Sequence, residues 1–466
     1  MGGGSVDNRR LKAALLLLAS VAIGALPHGL GPWARFAPGL GMAIVLGGSV
    51  ARTLFLQPPP TEPALPDGRL QAGSPTAFPM VDVVVAARDE EAVISTLVER
   101  VLRLRWPADQ LRLWVVDDGS EDRTPQRLAE LQKRHPQLRT LRRSRDSGGG
   151  KSGALNAVLG SLEGRWMLVL DADADLPQDW LERVIPSAER EGWAAVQVRK
   201  AEANTAHNWL TRAQAMEMAF DAFIQEARFG RGGVAELRGN GQLLRRDAVQ
   251  KAGGFNEATI TDDLDLSFRF LLAGLPVGVM WDPPVGEEAV SSLQALWRQR
   301  QRWAEGGLQR FLDYYQQLLS HRLTGSQKWD LASFFVLQYV LPVMVVADLV
   351  AALVTQTIPG MWPFPFVVLA LSGFSISAGC NRGGEGTPIP AATPGNVLLA
   401  MVYMMHWFAV IPWVMFKMAL LPKTLVWQKT VHKGASSVAI PSSAYSDFTP
   451  SQALDLEDDV VPSPEG

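Results

Sequence analysis

The sequence predicts a central α/β domain with transmembrane α-helices on both sides of it. Charged residues concentrate in the middle of the 466-residue chain, whereas long apolar runs occupy both ends. From Val81 onwards, short runs of aliphatic residues alternate with helical spacing, which is typical of a parallel sheet covered by helices. Acidic residues follow several of these runs, at the edge of the sheet where such folds bind ligands.

The composition excludes some classes of function. A net charge of -3 argues against nucleic acid as a partner, because binding a phosphate backbone requires a basic surface. The single cysteine, Cys380, excludes a disulfide within the chain and a cysteine-based zinc site. The length fits two or three structural units.

Two apolar runs lie near the N-terminus, at residues 11–26 and 39–56, and each approaches the roughly 20 residues that a membrane-spanning helix needs. A signal peptide is the alternative for the first run, but no small-residue cleavage site is evident. The preferred prediction is a transmembrane hairpin over residues 1–57. A proline-rich linker over residues 58–79 follows, because so many prolines prevent regular structure.

Positive charge sets the orientation of this hairpin. Arg9, Arg10 and Lys12 flank the first run. The short loop between the two runs carries only Arg35. By the positive-inside rule, the N-terminus and the central domain lie in the cytoplasm.

The central domain is predicted to span residues 80–325. Its predicted strands are residues 81–87, 111–116 and 166–170. Its predicted helices are residues 90–104, 124–135 and 264–272. A further apolar and aromatic stretch over residues 308–319 is expected to form a helix that lies on the membrane surface.

The C-terminal transmembrane region is predicted over residues 328–425 and contains three apolar runs, at 331–354, 363–378 and 397–421. Three spans would place Lys423, Lys429 and Lys433 outside, against the positive-inside rule. One of the three runs is therefore expected to be re-entrant or interfacial. The Ser- and Pro-rich, acidic tail over residues 426–466 is predicted to be disordered.

Asp171 and Asp173 follow the third predicted strand. Two carboxylates at this spacing can hold a hard cation such as Mg²⁺ or Mn²⁺, and through it a diphosphate. A solvated acidic turn explains this motif equally well when it is taken alone.

Asp117 and Asp118 end the second predicted strand, where a carboxylate can bind the base or ribose of a nucleotide. An ordinary Asp-Gly turn is the alternative. Lys151 follows three glycines in a segment that lacks the spacing of an ATP-binding P-loop. A flexible loop that brings Lys151 near a diphosphate is the preferred interpretation.

Thr261 is a suitable N-cap for the predicted helix at 264–272, with Asp262 and Asp263 in its first turn. A carboxylate there can remove a proton from an attacking hydroxyl, although simple helix capping explains these residues nearly as well.

Gln299, Arg302 and Trp303 belong to a run of Gln, Arg and Trp that is not a normal solvated surface. Arg302 can pair with phosphates, and Trp303 can stack on a sugar. An interfacial amphipathic helix is the alternative, and both can hold.

Four of these motifs, taken in chain order, resemble those of the family 2 glycosyltransferases, which include cellulose and hyaluronan synthases: they lie at residues 117–118, 171–173, 261–263 and 299–303. The segment from Val83 to Glu91 is similar to the family's opening strand, although Asp89 replaces the usual Asn. Asp262 stands where the family usually has Glu. The resemblance covers roughly residues 80–320 and implies a GT-A-like fold, a Rossmann-like mixed sheet with flanking helices.

The resemblance also implies roles for the site residues. Asp118, with Asp117, would hold the uracil or ribose, and Asp263 would be the catalytic base. Asp171 and Asp173 would hold the nucleotide and the metal, the latter mainly through Asp173. The diphosphate would be bound, and the acceptor site shaped, by Gln299, Arg302 and Trp303.

Within the family, the layout is most similar to the cyanobacterial monoglucosyldiacylglycerol synthases. This implies an integral enzyme of the plasma or thylakoid membrane that uses UDP-glucose as donor, Mg²⁺ or Mn²⁺ as cofactor and 1,2-diacylglycerol as acceptor. A processive polysaccharide synthase shares every motif and is the first alternative, although five short runs make a poor channel. A membrane-tethered nucleotide-sugar sensor is the second, although no catalytic carboxylate is missing.

Overall fold

A computed structural model describes residues 8–55, 78–362 and 364–421, without the side chains of residues 51–55 and 365. All but the last two residues of the predicted linker, and the whole predicted tail, lie outside this part of the chain, as do Lys423, Lys429 and Lys433.

The central domain contains seven strands. They are β1 (Val81–Ala87), β2 (Leu111–Asp118), β3 (Leu138–Arg143), β4 (Trp166–Leu170), β5 (Ala195–Glu202), β6 (Gln242–Arg245) and β7 (Val277–Glu287). They form one sheet in the order β3-β2-β1-β4-β6-β5-β7. All neighbours are parallel except β6, which pairs antiparallel with both β4 and β5. The three strands predicted from the sequence, β1, β2 and β4, are parallel to one another as expected, and the antiparallel β6 makes the sheet mixed, as the family resemblance implies.

The helices of the central domain cover both faces of this sheet. They are α3 (Ile94–Leu102), α4 (Thr124–Arg134), α5 (Gly150–Leu159), α6 (Trp180–Arg190), α7 (Trp209–Phe229), α8 (Arg246–Lys251), α9 (Asp262–Leu272) and α10 (Leu293–Leu319). Alternate residues of β1 enter different cores, as strand geometry requires. Val83 packs with Leu97 of α3 on one face, whereas Val84 packs with Leu155 of α5 on the other.

The helix predicted over residues 90–104 begins later, at Ile94. The preceding residues form a turn instead, because Asp89 has a positive φ of 55° and the Glu90 N–H donates to the Thr124 hydroxyl at 2.8 Å. Aspartate tolerates this left-handed conformation better than most residues do. The turn brings the end of β1 against the end of β2, at the edge where the site lies.

The flanking helices are α1 (Arg9–Ala25), α2 (Ala37–Phe55), α11 (Gly325–Phe335), α12 (Leu341–Thr355), α13 (Phe364–Asn381), α14 (Pro394–Met404) and α15 (Trp407–Leu420). A π-helical turn over Val336–Val340 joins α11 to α12. In the described part of the chain, three helical stretches are long and apolar enough to cross a membrane: Arg9–Gly29, Gly325–Thr355 and Pro394–Leu420. Two apolar helices are shorter, Ala34–Val50 and Phe366–Asn381.

The stretch at residues 308–319 is the end of α10 and is not a separate surface helix. Its side chains Leu308, Phe311 and Leu312 are buried in one cluster with Phe268 of α9 and Val343 of α12. Protein therefore covers these three residues, and the position of this stretch on the membrane surface stays a prediction.

Candidate active site

A cavity of about 1450 Å³ opens at the carboxyl ends of β1 and β4. Most of the predicted site residues line it, namely Lys151, Asp171, Asp173, Asp263, Gln299, Arg302 and Trp303. These residues are up to about 150 positions apart in the chain. Asp117 and Asp118 are not among the lining residues.

The turn after β4 carries the first pair of carboxylates. The Asp171 N–H donates to the side-chain oxygen of Asn240 at 3.1 Å, which ties the turn to the loop before β6. Asp173 accepts from the Glu288 N–H at 2.8 Å, which ties it to the end of β7. Hydrogen bonds to the loop before β6 and to the residue after β7 therefore fix where these carboxylates lie.

Lys151 lies in the first turn of α5, and its ammonium group contacts Asp171 at 2.6 Å. Burial of Lys151 lowers its pKa, but Asp171, Asp262 and Asp263 outweigh this effect, so the pKa lies above its ordinary value. Gly149 caps the helix with a φ of 71°, and an added Cβ there would collide with Glu257. The glycine run thus lets the backbone turn so that Lys151 enters the cavity.

The second pair of carboxylates lies in the first turn of α9. Thr261 occupies the N-cap position, but its side chain makes no capping hydrogen bond and its hydroxyl oxygen is buried without a partner. The predicted N-cap position is therefore confirmed, but the Thr261 hydroxyl does not cap the helix. The carboxylate oxygen Oδ2 of Asp262 is likewise buried without a hydrogen-bond partner beside the cavity.

Burial raises the pKa of Asp262 to about 6, against the opposing effect of Lys151. Burial also raises the pKa of Asp263, although the Leu264 N–H and Lys151 oppose it. A carboxylate whose pKa is raised is a stronger base once ionised. Both positions in this turn are therefore suited to accept a proton.

Arg302 and Trp303 enter the cavity from α10. Burial lowers the pKa of Arg302, and Asp171, Asp263 and Asp262 act in the opposite direction. The Trp303 ring centroid is 5.5 Å from the ammonium nitrogen of Lys200. One guanidinium thus acts on both acid pairs, which brings the motifs from β4, α9 and α10 into a single site.

Asp117 and Asp118 are buried at the end of β2 and engage basic side chains. Asp118 lies 2.9 Å from Arg143 and 3.5 Å from Arg88. Asp117 accepts from the Ser120 N–H at 2.9 Å and lies 3.4 Å from Arg142. These carboxylates brace the loops beside the cavity, and their nucleotide-binding role stays a prediction.

Sequence reasoning missed a charged group on β5 and β7. Lys200 lines the cavity and lies 2.8 Å from Glu287, which also lines it. Burial raises the pKa of the neighbouring Glu202 well above its ordinary value, and Glu287 adds to this. The segment from Arg199 to Glu202 was not predicted as part of a strand because three of its four residues are charged. Charged residues are rarely buried, so charges that end a largely apolar run such as residues 194–198 could have indicated a functional site.

The acidic side chains around Asp171 decide whether a divalent cation can bind at the cavity. Among the described residues, no three His, Cys, Asp or Glu side chains are grouped to hold a metal ion. Asp171 and Asp173 nevertheless supply hard oxygen donors at the cavity, and Mg²⁺ typically takes one or two carboxylates together with substrate phosphates and water. The donor set fits a cation that arrives with a diphosphate.

The fold and the sequence were then compared with known proteins. A mannosyltransferase from Pyrobaculum calidifontis, PcManGT, solved in complex with GDP-Man and Mn²⁺, aligns over 88% of this chain and 99% of its own, with a TM-score of 0.55 and 19% identity. This likeness shows a shared fold.

Two relatives are named beta-monoglucosyldiacylglycerol synthase. The protein of Synechocystis sp. is 41% identical over 444 residues, 93% of this chain and 90% of the relative. That of Trichormus variabilis is 40% identical over 433 residues, 92% and 90% of the two chains. Residues 79–306 match the sequence model described as "Glycosyltransferase like family 2". The chain therefore belongs to glycosyltransferase family 2.

Proposed function

We propose that this chain transfers glucose from UDP-glucose to the 3-hydroxyl of 1,2-diacylglycerol with inversion, forming β-monoglucosyldiacylglycerol. The names of relatives that are 40–41% identical over nearly the whole chain support this reaction. The structural observation that carries the proposal is the composition of the cavity along its length.

The central domain lines one part of the cavity, which we name the charged end, with charged residues, and the flanking helices line another part, the apolar end, mainly with apolar residues. The charged end holds the carboxylates of β4 and α9. The apolar end is formed by flanking helices and includes Leu46 of α2, Leu337 of the π-helical turn, Pro342 of α12 and Leu371 of α13. A sugar nucleotide suits the first end, and a lipid with a neutral headgroup suits the second.

In the proposed reaction, Asp263 accepts the proton of the glycerol 3-hydroxyl. That oxygen forms a bond to the anomeric carbon of glucose from the side opposite to UDP. The bond from this carbon to the diphosphate oxygen breaks, and its electron pair leaves with UDP. One displacement converts the α-linked donor to a β-glucoside, and burial beside the acid pair gives Asp263 the raised pKa that a base requires.

Positively charged groups would stabilise the leaving diphosphate. A divalent cation, when bound, would neutralise the negative charge that builds up on the departing diphosphate. Asp171, and above all Asp173, would hold that cation. Lys151 would exchange its contact with Asp171 for a phosphate oxygen, and Arg302 would contact the diphosphate from α10.

We also propose that the chain is an integral membrane protein with its catalytic domain in the cytoplasm, in the plasma or thylakoid membrane. In this arrangement the stretch α14–α15 is the interfacial one. The loop before α14 contacts the central sheet, because Glu385 pairs with Arg183 at 2.5 Å and its carbonyl accepts from Arg199 at 2.8 Å. At the other end, the Leu420 carbonyl accepts from Arg10 at 2.9 Å. Both ends of this stretch thus lie on the side of the catalytic domain.

The test is to incubate membranes that contain the full chain with labelled UDP-glucose, UDP-galactose or UDP-N-acetylglucosamine and 1,2-diacylglycerol. We expect a lipid that carries one glucose, with the β configuration in its anomeric NMR coupling. A polymer would instead support a processive synthase. An α-glucoside would contradict the single displacement.

A further inference from the structure

Arg300 lies between two predicted site residues in sequence but does not line the cavity. It is 1% exposed, and its guanidinium carbon lies 4.0 Å from the ring centroid of Trp303. Residues three apart on a helix share a face, so Arg300 and Trp303 are held side by side on α10. A buried guanidinium against an indole ring is a strong contact when both are removed from water.

Glu217 of α7 balances the buried charge of Arg300, and the two side chains form an ion pair. The same carboxylate accepts from the Tyr403 hydroxyl at 2.7 Å and from the Trp407 indole N–H at 3.2 Å. Arg300 also donates to the Tyr403 hydroxyl oxygen at 2.9 Å. We name Glu217, Arg300, Tyr403 and Trp407 the Glu217 network.

This network joins three elements that packing alone could have joined. α7 belongs to the central domain, α10 carries Trp303, and Tyr403 and Trp407 belong to the α14–α15 stretch. Ions and hydroxyls are costly to bury, and a well-packed apolar cluster of the same volume often gives equal or greater stability. The polar network instead fixes the orientation of its side chains, because each hydrogen bond is directional and holds the donor against its acceptor.

We propose that Glu217 is a positioning residue, which holds Trp303 in the catalytic cavity through Arg300 and fastens it to α14–α15 through Tyr403 and Trp407. This inference rests on the proposed glucosyl transfer and assigns to the interfacial stretch a part in shaping the acceptor site. Displacing α14–α15 would release Arg300 and, with it, Trp303.

The first experiment is a double-mutant cycle on the purified full chain, with UDP-glucose and diacylglycerol as substrates. Tyr403→Phe removes one hydroxyl and leaves the ion pair in place, whereas Glu217→Gln removes the charge. We expect Tyr403→Phe to lower kcat/KM for the acceptor about tenfold, the size of one lost hydrogen bond to a charged group. Glu217→Gln should lower it further.

The decisive measurement repeats both substitutions in a Trp303→Phe background. If the network acts through Trp303, each should then change kcat/KM for the acceptor by less than about twofold, because coupled residues are not additive. Equal losses in the two backgrounds would overturn the proposal. They would mean that Glu217 only stabilises the fold or contacts the substrate itself.

Asp348→Asn supplies a control with a buried acid outside the cavity, whereas Glu217 itself lines it. Asp348 is a buried acid of α12 that accepts from, or pairs with, His28 at 2.8 Å and does not line the cavity. We expect it to lower thermal stability and to act additively with Trp303→Phe. If Asp348→Asn and Trp303→Phe deviate from additivity in kcat/KM as much as Glu217→Gln and Trp303→Phe do, the Glu217 network does not position Trp303 specifically, and the proposal is overturned.

Hydrogen–deuterium exchange tests the same inference without any assumption about the sugar or the lipid. Tyr403→Phe should raise exchange in peptides that cover residues 293–306 of α10, relative to peptides of the unconnected helix α4. Unchanged exchange there would overturn the network even if the enzyme makes the expected glycolipid. Absence of any glycolipid from the wild type would instead contradict the proposed function.

Discussion

The two ends of the cavity are built in different ways. At the charged end, the carboxylates and Lys151 follow a strand or open a helix, and hydrogen bonds to Asn240 and Glu288 fix the positions of Asp171 and Asp173. At the apolar end, side chains such as Leu46, Leu337 and Leu371 come from the sides of separate helices. The positions of the catalytic groups are thus set by turns at the edge of the sheet, whereas access for the acceptor depends on how the helices pack. Substitutions at the two ends should therefore change different kinetic constants.

The largest effect is expected at Asp263. Asp263→Asn removes the base and should lower kcat about 10²- to 10⁴-fold, because general-base assistance contributes that much. UDP binding, measured by calorimetry, should stay close to that of the wild type. Asp265→Asn on the same helix is the control, since Asp265 pairs with Arg269 at 2.6 Å and should affect stability more than kcat. Near-normal turnover of Asp263→Asn would remove the base assignment.

A second effect is expected at Lys151, on donor binding. Lys151→Met keeps most of the side-chain volume but removes the charge that faces Asp171. We expect the KM for UDP-glucose to rise about tenfold or more, in line with the loss of one charge-assisted contact to a phosphate. Lys251→Met, at an exposed position of α8, should leave this constant unchanged. An unchanged KM in Lys151→Met would contradict a diphosphate contact.

A third, acceptor-specific effect is expected at the apolar end. Ser372→Trp fills the cavity beside Leu371 and should raise the KM for diacylglycerol about tenfold, the cost of overpacking a formed pocket. The KM for UDP-glucose should not change. Leu349→Trp is the control, because Leu349 is exposed on α12 and does not line the cavity. Equal changes in both constants would mean that the two ends are not separable.

The smallest effect is expected at Asp262, on stability. Its pKa rises from 3.8 to about 6 on folding, so its stabilising contribution is complete below pH 3.8 and is lost as the pH rises through 6. Asp262→Asn carries no such cost at high pH and should raise the melting temperature by a few degrees at pH 8. The gain should shrink towards pH 4. A gain that is the same at both pH values would contradict the raised pKa.

Much of the charged end could be predicted from the sequence. Strand periodicity located β1, β2 and β4, and the acids that follow β4 were expected at the edge of the sheet. Spacing along the chain could not show that Asp117 and Asp118 engage Arg142 and Arg143, because β3 carries three arginines and no apolar run.

Other features were out of reach because they depend on distant contacts. β6 has four residues and enters the sheet antiparallel, and neither fact has a local signal. The helical periodicity of residues 308–319 was correct, but only the packing of α9 and α12 decides what the apolar side faces. The sequence does not distinguish Arg300 from the other arginines of its run, because its burial depends on an ion pair with Glu217, 83 positions away.

The first helix has a consequence for how the protein is made. Arg9 of α1 pairs with Asp313 at 2.7 Å, and Arg10 binds the Leu420 carbonyl, 410 positions further along the chain. α1 therefore leaves the ribosome long before its partners exist, and in the proposed membrane arrangement it stays in the bilayer without them while the central domain is synthesised. Assembly of the helices is completed only when the end of α15 arrives, so even a short truncation before Leu420 would leave the first turn of α1 without one of its anchors.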